Sequence, residues 1–305
     1  ITPPSPAPSA SSIPLPPDRP LYRLKRRLLG QPLHSDELDH QRLGKPTALA
    51  VFASDNLSSS AYATEEILHV LIPAVGIAAF SLVVGETIAM LVVLAFLIMS
   101  YRETIKEYPS AGGAYLVTRD NFGTVPAQVA GASLLTDYIL TVAVSSAAGT
   151  AALVSAFDAL EPFRVIIALG FITIVAYGNL RGVKESGRVF AVPTYFFMLN
   201  MGILLVYGLV RFLGGDLGAI TQYAEGTIHL PSEPVSANDG LFYGATAYLL
   251  AKAFASGGAA VTGVEAISNG VPAFREPAWK HARQTLVVMG AGLGVMFLVL
   301  SLLAS

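Results

Sequence analysis

Residues 52–66 read FASDNLSSSAYATEE, and residues 254–265 read FASGGAAVTGVE. Each stretch begins apolar, breaks into small and polar residues, and resumes as helix with acidic groups. Both lie inside apolar segments long enough to cross a membrane. Two interrupted helices in corresponding positions of two halves are the sequence mark of a secondary transporter's midplane site. Five spans separate the two starts, so two five-span units would be inverted relative to each other.

The composition agrees with a membrane setting. Of 305 residues, 53% are apolar and only 13% charged, against about 25% charged in ordinary soluble domains. Mean hydropathy is +0.59. One soluble core does not cover that much apolar surface, so an all-α integral membrane protein is expected. Seven segments are long enough to span about 30 Å of hydrocarbon: 46–74, 77–101, 125–157, 163–180, 189–213, 241–272 and 283–304. Residues 1–20 are rich in Pro and Ser and read as disordered. Residues 21–45 read as a cytoplasmic lead-in, and 46–305 as the transporter core. The first residue is Ile and the last apolar run is still open, so the chain reads as part of something longer.

Sixteen of the 19 Lys and Arg fall before span 1 or in alternate loops; Arg164 and Arg211 lie on the other side, and Lys252 lies within span 6. The basic side is the cytoplasmic side, which puts the N-terminus inside. The net charge of −2 leaves no footprint for nucleic acid. Cysteine is absent and the five histidines are scattered, which removes disulfides, thiol catalysis and His-rich metal sites. No phosphate-binding, zinc-protease or serine-hydrolase motif appears. An enzyme is the weakest reading.

Ionisable groups at membrane depth cost at least about 2.5–3.5 kcal/mol, so each requires a reason. Asp55 sits among Ser, Asn and Asp residues that are poor helix formers. An unwound stretch there would offer carbonyl oxygens, hydroxyls and a carboxylate to a hard cation. The alternative is a helix cap near the interface. Asp137, Thr141 and Ser145 follow i, i+4, i+8 spacing and share one face, with Tyr138 beside it; helix packing is the alternative. Gly257, Gly258 and Gly263 favour a break in span 6, with Thr262 and Glu265 aimed at the cavity of Asp55, or close helix packing. Glu86 and Lys252 could pair. Residues 108–115, YPSAGGAY, read as an inner re-entrant turn or gate, and the GxxxG of Gly290 and Gly294 as packing.

The stretches SDNLSSSAYATEEIL, YPSAGGAY, LLTDYILTVAVS, NLRGVKESG, ASGGAAVTGVEAISN and VPAFREP resemble the amino acid–polyamine–organocation superfamily, and within it the KimA-type bacterial potassium importers. The resemblance implies a LeuT-type inverted-repeat fold with broken first and sixth helices. It also implies a multi-pass protein of the inner (plasma) membrane, surrounded by the lipid bilayer, that takes up potassium with protons by alternating access. K+ and H+ are then transported ions and no cofactor is expected; a homodimer is a family expectation. Carried over by position, the ion-binding residues are Asp55, Tyr62, Asp137, Tyr138, Thr141, Ser145, Thr262 and Glu265. Glu265 is the proton-carrying candidate, because it stands among other acids. A permease of amino acids or polyamines is the alternative, and a non-transporting nutrient sensor a second. Asp55 stands where an amino acid permease receives its substrate's carboxylate, which favours a cation.

Overall fold

The computed structural model describes residues 42–180, 183–215, 217 and 244–305. The expected disordered stretch 1–20, the lead-in up to residue 41 and the start of the span at 241 lie outside them. So do Arg181 and the side chains of Lys184 and Arg188.

Among the described residues the chain is helical, without a named strand. The helices are α1 Lys45–Phe52, α2 Ser54–Val75, α3 Ala78–Glu107, α4 Gly113–Phe122, α5 Thr124–Ala156, α6 Arg164–Leu180, α7 Val183–Leu213, α8 Ala247–Gly257, α9 Val264–Asn269 and α10 Ala278–Ala304. Six stretches are long and apolar enough to cross a membrane, from Ala78–Glu107 to Ala278–Ala304. The sequence reading counts seven. The difference is the first segment, because α2 carries Asp55, Glu65 and Glu66. Its polar residues are instead covered by protein: Asn56, Ser59, Ser60 and Thr64 are all buried where α2 packs on α3, α8 and α10.

The expected unwinding after Asp55 does not occur. The chain is interrupted only at Ala53, whose φ −94° and ψ −8° remain in the right-handed region. The Leu57 N–H still reaches the Ala53 carbonyl at 2.8 Å. The hydroxyls of Ser58 and Ser59 donate to the Asp55 carbonyl (2.8 and 3.1 Å), and Ser60 donates to Leu57 (2.6 Å). These side chains bond back onto their own helix and leave its ladder intact.

Span 6 does break. After α8, a 3-10 turn covers Gly258–Val261, Thr262 is extended, and Gly263 takes φ +81° before α9 begins. A left-handed residue here calls for glycine. A Cβ would also fall 2.7 Å from Asp55 Oδ2, so the backbone at the break lies directly against the Asp55 carboxylate.

Span 7 closes the bundle. Gly290 has no room for a Cβ against Ile98, and Gly294 meets Leu91 and Leu94, so the GxxxG pair serves packing of α10 on α3. Nearby, Ser301 accepts hydrogen bonds from Thr87 (2.8 Å) and shares one with Thr64 (2.9 Å), all three buried. The hydroxyl trio joins α2, α3 and α10. On the far side, Val129, Ile139, Ile166, Ile174, Phe196 and Val206 of α5–α7 are exposed, as suits hydrocarbon contact.

The segment before α1 clasps the link between α9 and α10. Leu43 N–H donates to Ala273 (2.7 Å), and Arg275 N–H donates to Leu43 (3.1 Å). Arg42 pairs with Glu276. The Ala278 N–H first, and the Arg42 guanidinium second, hold the exposed Glu276 carboxyl below its usual range. Phe274 is fully buried and stacks on Phe52 with centroids 5.2 Å apart. Phe274→Ala should therefore destabilise the fold by about 3–5 kcal/mol, read as a lowered unfolding midpoint in detergent.

Candidate functional site

Three elements converge: the first turn of α2, one face of α5, and the break between α8 and α9. Asp55 is half-buried on α2, against Gly263. Its neighbour Asn56 is fully buried and donates through Nδ2 to Thr262 O at 2.8 Å and, at 3.5 Å, to Ala260 O. Span 1 is thus tied to the break in span 6 at the polar centre. Thr262 is half-buried and its hydroxyl turns back to Ala259 O at 2.9 Å, leaving only the oxygen lone pairs for other partners.

Two turns further along α2, the buried Tyr62 hydroxyl lies 2.8 Å from Ser59 Oγ and 3.5 Å from Ser145 Oγ. That contact joins α2 to α5. On α5, Asp137, Thr141 and Ser145 are half-buried, whereas Ile139 and Leu140 are exposed. The three residues share one face, as the spacing predicts, and that face is less exposed than its neighbours. Tyr138 is on the edge of this face, and its hydroxyl accepts from Asn269 Nδ2 at 2.7 Å.

Glu265 is buried in the first turn of α9. Its Oε1 has no hydrogen-bond partner. Asp55, Asp137 and Glu265 are close enough to act on one another electrostatically, and Tyr101 of α3 sits in the same field. Among the described residues, no Lys or Arg forms an ion pair with any of the three acids. Nor do three His, Cys, Asp or Glu side chains converge tightly enough to hold a metal ion between them. The carboxylates flank a shared space and do not form a multivalent cage.

Polar satisfaction singles out this region. The fully buried side-chain oxygens without a hydrogen-bond partner, among the described residues, are Asn56 Oδ1, Glu265 Oε1 and Asn269 Oδ1. A buried acceptor without a donor costs about 1–3 kcal/mol. Here such acceptors gather beside three unpaired carboxylates, a setting that favours positive charge.

Asn56, Ser59, Tyr101 and Asn269 were not among the residues singled out from sequence. Asn269 stands four residues after Glu265, so helical spacing could have found it. Tyr101 carries no such signal, because it ends an otherwise apolar span. The YPSAGGAY stretch forms a turn through Gly112 and then enters α4. A Cβ on Gly113 would stand 3.2 Å from the carbonyl and hydroxyl oxygens of Ser268, so α4 abuts the broken span. Glu86 and Lys252 do not form an ion pair, and Lys252 is exposed.

Comparison with known proteins gives a consistent picture. The amino acid permease family model matches residues 43–304. The chain is 42% identical over 284 residues to the potassium transporter KimA of Bacillus subtilis, covering 93% of this chain and 44% of that protein. It is 29% identical over 140 residues to the chloroplastic cationic amino acid transporter 7 of Arabidopsis thaliana, 40% of this chain and 23% of that one. The chain spans less than half the length of the curated relatives it matches.

Proposed function

Because the chain belongs to the amino acid permease family, we propose that it forms part of a secondary transporter that imports potassium together with protons by alternating access. The observation that carries this reading is the gathering of unpartnered acceptors, Asn56 Oδ1, Glu265 Oε1 and Asn269 Oδ1, around three carboxylates that no basic residue pairs with among the described residues. A cation supplies what these groups lack; an anion would meet only repulsion. Asp55 and Asp137 provide negative field. Thr141, Ser145 and Tyr62 provide neutral oxygens that replace the ion's water. Tyr138 borders the same space, and its ring adds a face that attracts cations. The site holds the ion as cargo, so neither cofactor nor bond-breaking chemistry enters.

The likeness to a protein named potassium transporter supports the choice of ion. The shorter likeness to proteins named cationic amino acid transporters favours one second reading, an amine or basic amino acid as cargo. An α-amino acid needs donors for its carboxylate. The Asp55 carboxylate stands against Gly263 at the break, where it would repel a substrate carboxylate, so we rank this reading second. In the orientation set by the basic loops, the clasp of Arg42 and Glu276 faces the cytoplasm of a cell whose plasma membrane holds the protein. A homodimer is the family's expectation.

The test is rubidium tracer uptake by the full-length protein in cells lacking their own potassium importers. Potassium should compete fully, and tenfold excesses of lysine or putrescine should not. Uptake of labelled amine without rubidium flux would replace the potassium reading by the amine one.

A further inference from the structure

We infer that Asn56 is a positioning residue that sets ion selectivity by keeping the carbonyl oxygens of the span 6 break out of the cation path. The inference deepens the cation reading above and rests on it.

A broken helix leaves carbonyl oxygens without their intrahelical partners. In many ion sites such oxygens become ligands, and their number and field strength decide which ion fits. Here those of Ala259 and Thr262 are already engaged, and that of Ala260 lies at the edge of reach. Asn56 Nδ2 takes Thr262 O at 2.8 Å and reaches Ala260 O at 3.5 Å, while the Thr262 hydroxyl takes Ala259 O at 2.9 Å. The orientation of the amide follows from its partners: turned over, Oδ1 would face two carbonyl oxygens with no proton between them. Asn56 is fully buried, so water does not compete for these bonds.

The other side of the break is held by shape. Gly263 lies against the Asp55 carboxylate, too close for any side chain. Asp55 and Asn56 therefore grip consecutive parts of one backbone turn, the acid facing Gly263 and the amide facing Thr262. With the Ala259 and Thr262 carbonyls held by these donors, the ion draws mainly on side-chain oxygens from α2, α5 and α9. With Asn56 truncated, the Thr262 carbonyl oxygen loses its donor beside the carboxylates, and α9 loses its tether to α2. More ligands in a looser arrangement discriminate less between ions of different radius.

The experiment uses the full-length protein carrying Asn56→Ala or Asn56→Asp. Asn56→Asp keeps the shape but replaces the donating nitrogen by an oxygen. Potency of unlabelled potassium and sodium against rubidium uptake gives the selectivity ratio. The expected result is a fall of at least tenfold in potassium-over-sodium preference in both variants, with the maximal rate reduced less than the ratio. A merely destabilised protein would lose rate and keep the ratio. An unchanged ratio in folded variants overturns the proposal, as does wild-type behaviour of Asn56→Asp. If Asn56→Ala is not recovered folded, Asn56→Ser takes its place; its hydroxyl is a shorter donor, and an intermediate ratio is expected. Hydrogen–deuterium exchange of residues 262–269 supplies a readout independent of transport. Faster exchange in the variants supports the tether, and unchanged exchange overturns it. Absence of rubidium flux in the wild type would instead sink the cation reading, and exchange would still decide the tether.

Discussion

Replacing Asp137 by Asn should lower the apparent affinity for rubidium by about a hundredfold while leaving the protein folded. The side chain is half-buried on the less exposed face of α5, one turn from Thr141. Among the described residues it has no ion-pair partner, so the fold does not use its charge. Asparagine has the same shape, and removing an unbalanced buried charge does not weaken packing. What disappears is the attraction for the cargo. A carboxylate about 4 Å from a monovalent cation contributes about 4 kcal/mol at an effective dielectric of about 20. Half to three quarters of that, lost on substitution, is about 2–3 kcal/mol, or a factor of roughly 30–150 in affinity. Concentration-dependent uptake in cells lacking other importers measures this directly, with Glu65→Gln as control. Glu65 is exposed and pairs with His69 one turn along the helix, and that substitution should change uptake less than about twofold. An Asp137→Asn protein with wild-type affinity would remove Asp137 from the ion path.

How much of this could be read from residues depended on which signal each element carried. The face of α5 was legible because an α-helix imposes its period on everything it presents, so Asp137, Thr141 and Ser145 had to share a side. The break in span 6 was legible because Gly263 needs a backbone that other residues avoid, and glycines at 257 and 258 precede it. Span 1 misled for a physical reason. Ser, Asn and Asp compete with the backbone for hydrogen bonds, but the competition has two outcomes. In an exposed helix they open it; here Ser58, Ser59 and Ser60 bond to carbonyls three or four residues back, under the cover of α3, α8 and α10. Which outcome holds depends on neighbours distant in sequence. The same limit hid Asn56: nothing local says that its amide will meet Thr262, 206 residues away. The clasp of Leu43 with Ala273 and Arg275 was hidden likewise, because a single bridge leaves no period in the sequence.

Glu265→Gln should abolish the stimulation of uptake by an inward proton gradient and spare exchange. One potassium ion carries one positive charge, and it enters a space flanked by Asp55, Asp137 and Glu265. Moving three carboxylates and one cation through an occluded state leaves surplus negative charge away from water, which is costly. A proton on one carboxyl relieves it, and that proton travels with the ion. Glu265 suits this role on geometry: it is buried, its Oε1 has no partner, and it lies just after the break in span 6, where that span meets α2. Asp55, in contrast, is pressed against Gly263, and Asp137 is more open. Glutamine keeps the size of Glu265 and fixes the group in a neutral state, equivalent to permanent protonation. In proteoliposomes of the full-length protein, one pH unit, acid outside, contributes about 1.4 kcal/mol per coupled proton, or up to about tenfold accumulation of rubidium. The variant should show none, while rubidium–potassium counterflow at equal pH stays within a few-fold of wild type. Retained gradient-driven accumulation in Glu265→Gln would assign the proton to Asp55 or Asp137, and the matching Asn variants would identify which. Loss of counterflow as well would place Glu265 among the cation's own ligands, because exchange moves the ion without net proton movement.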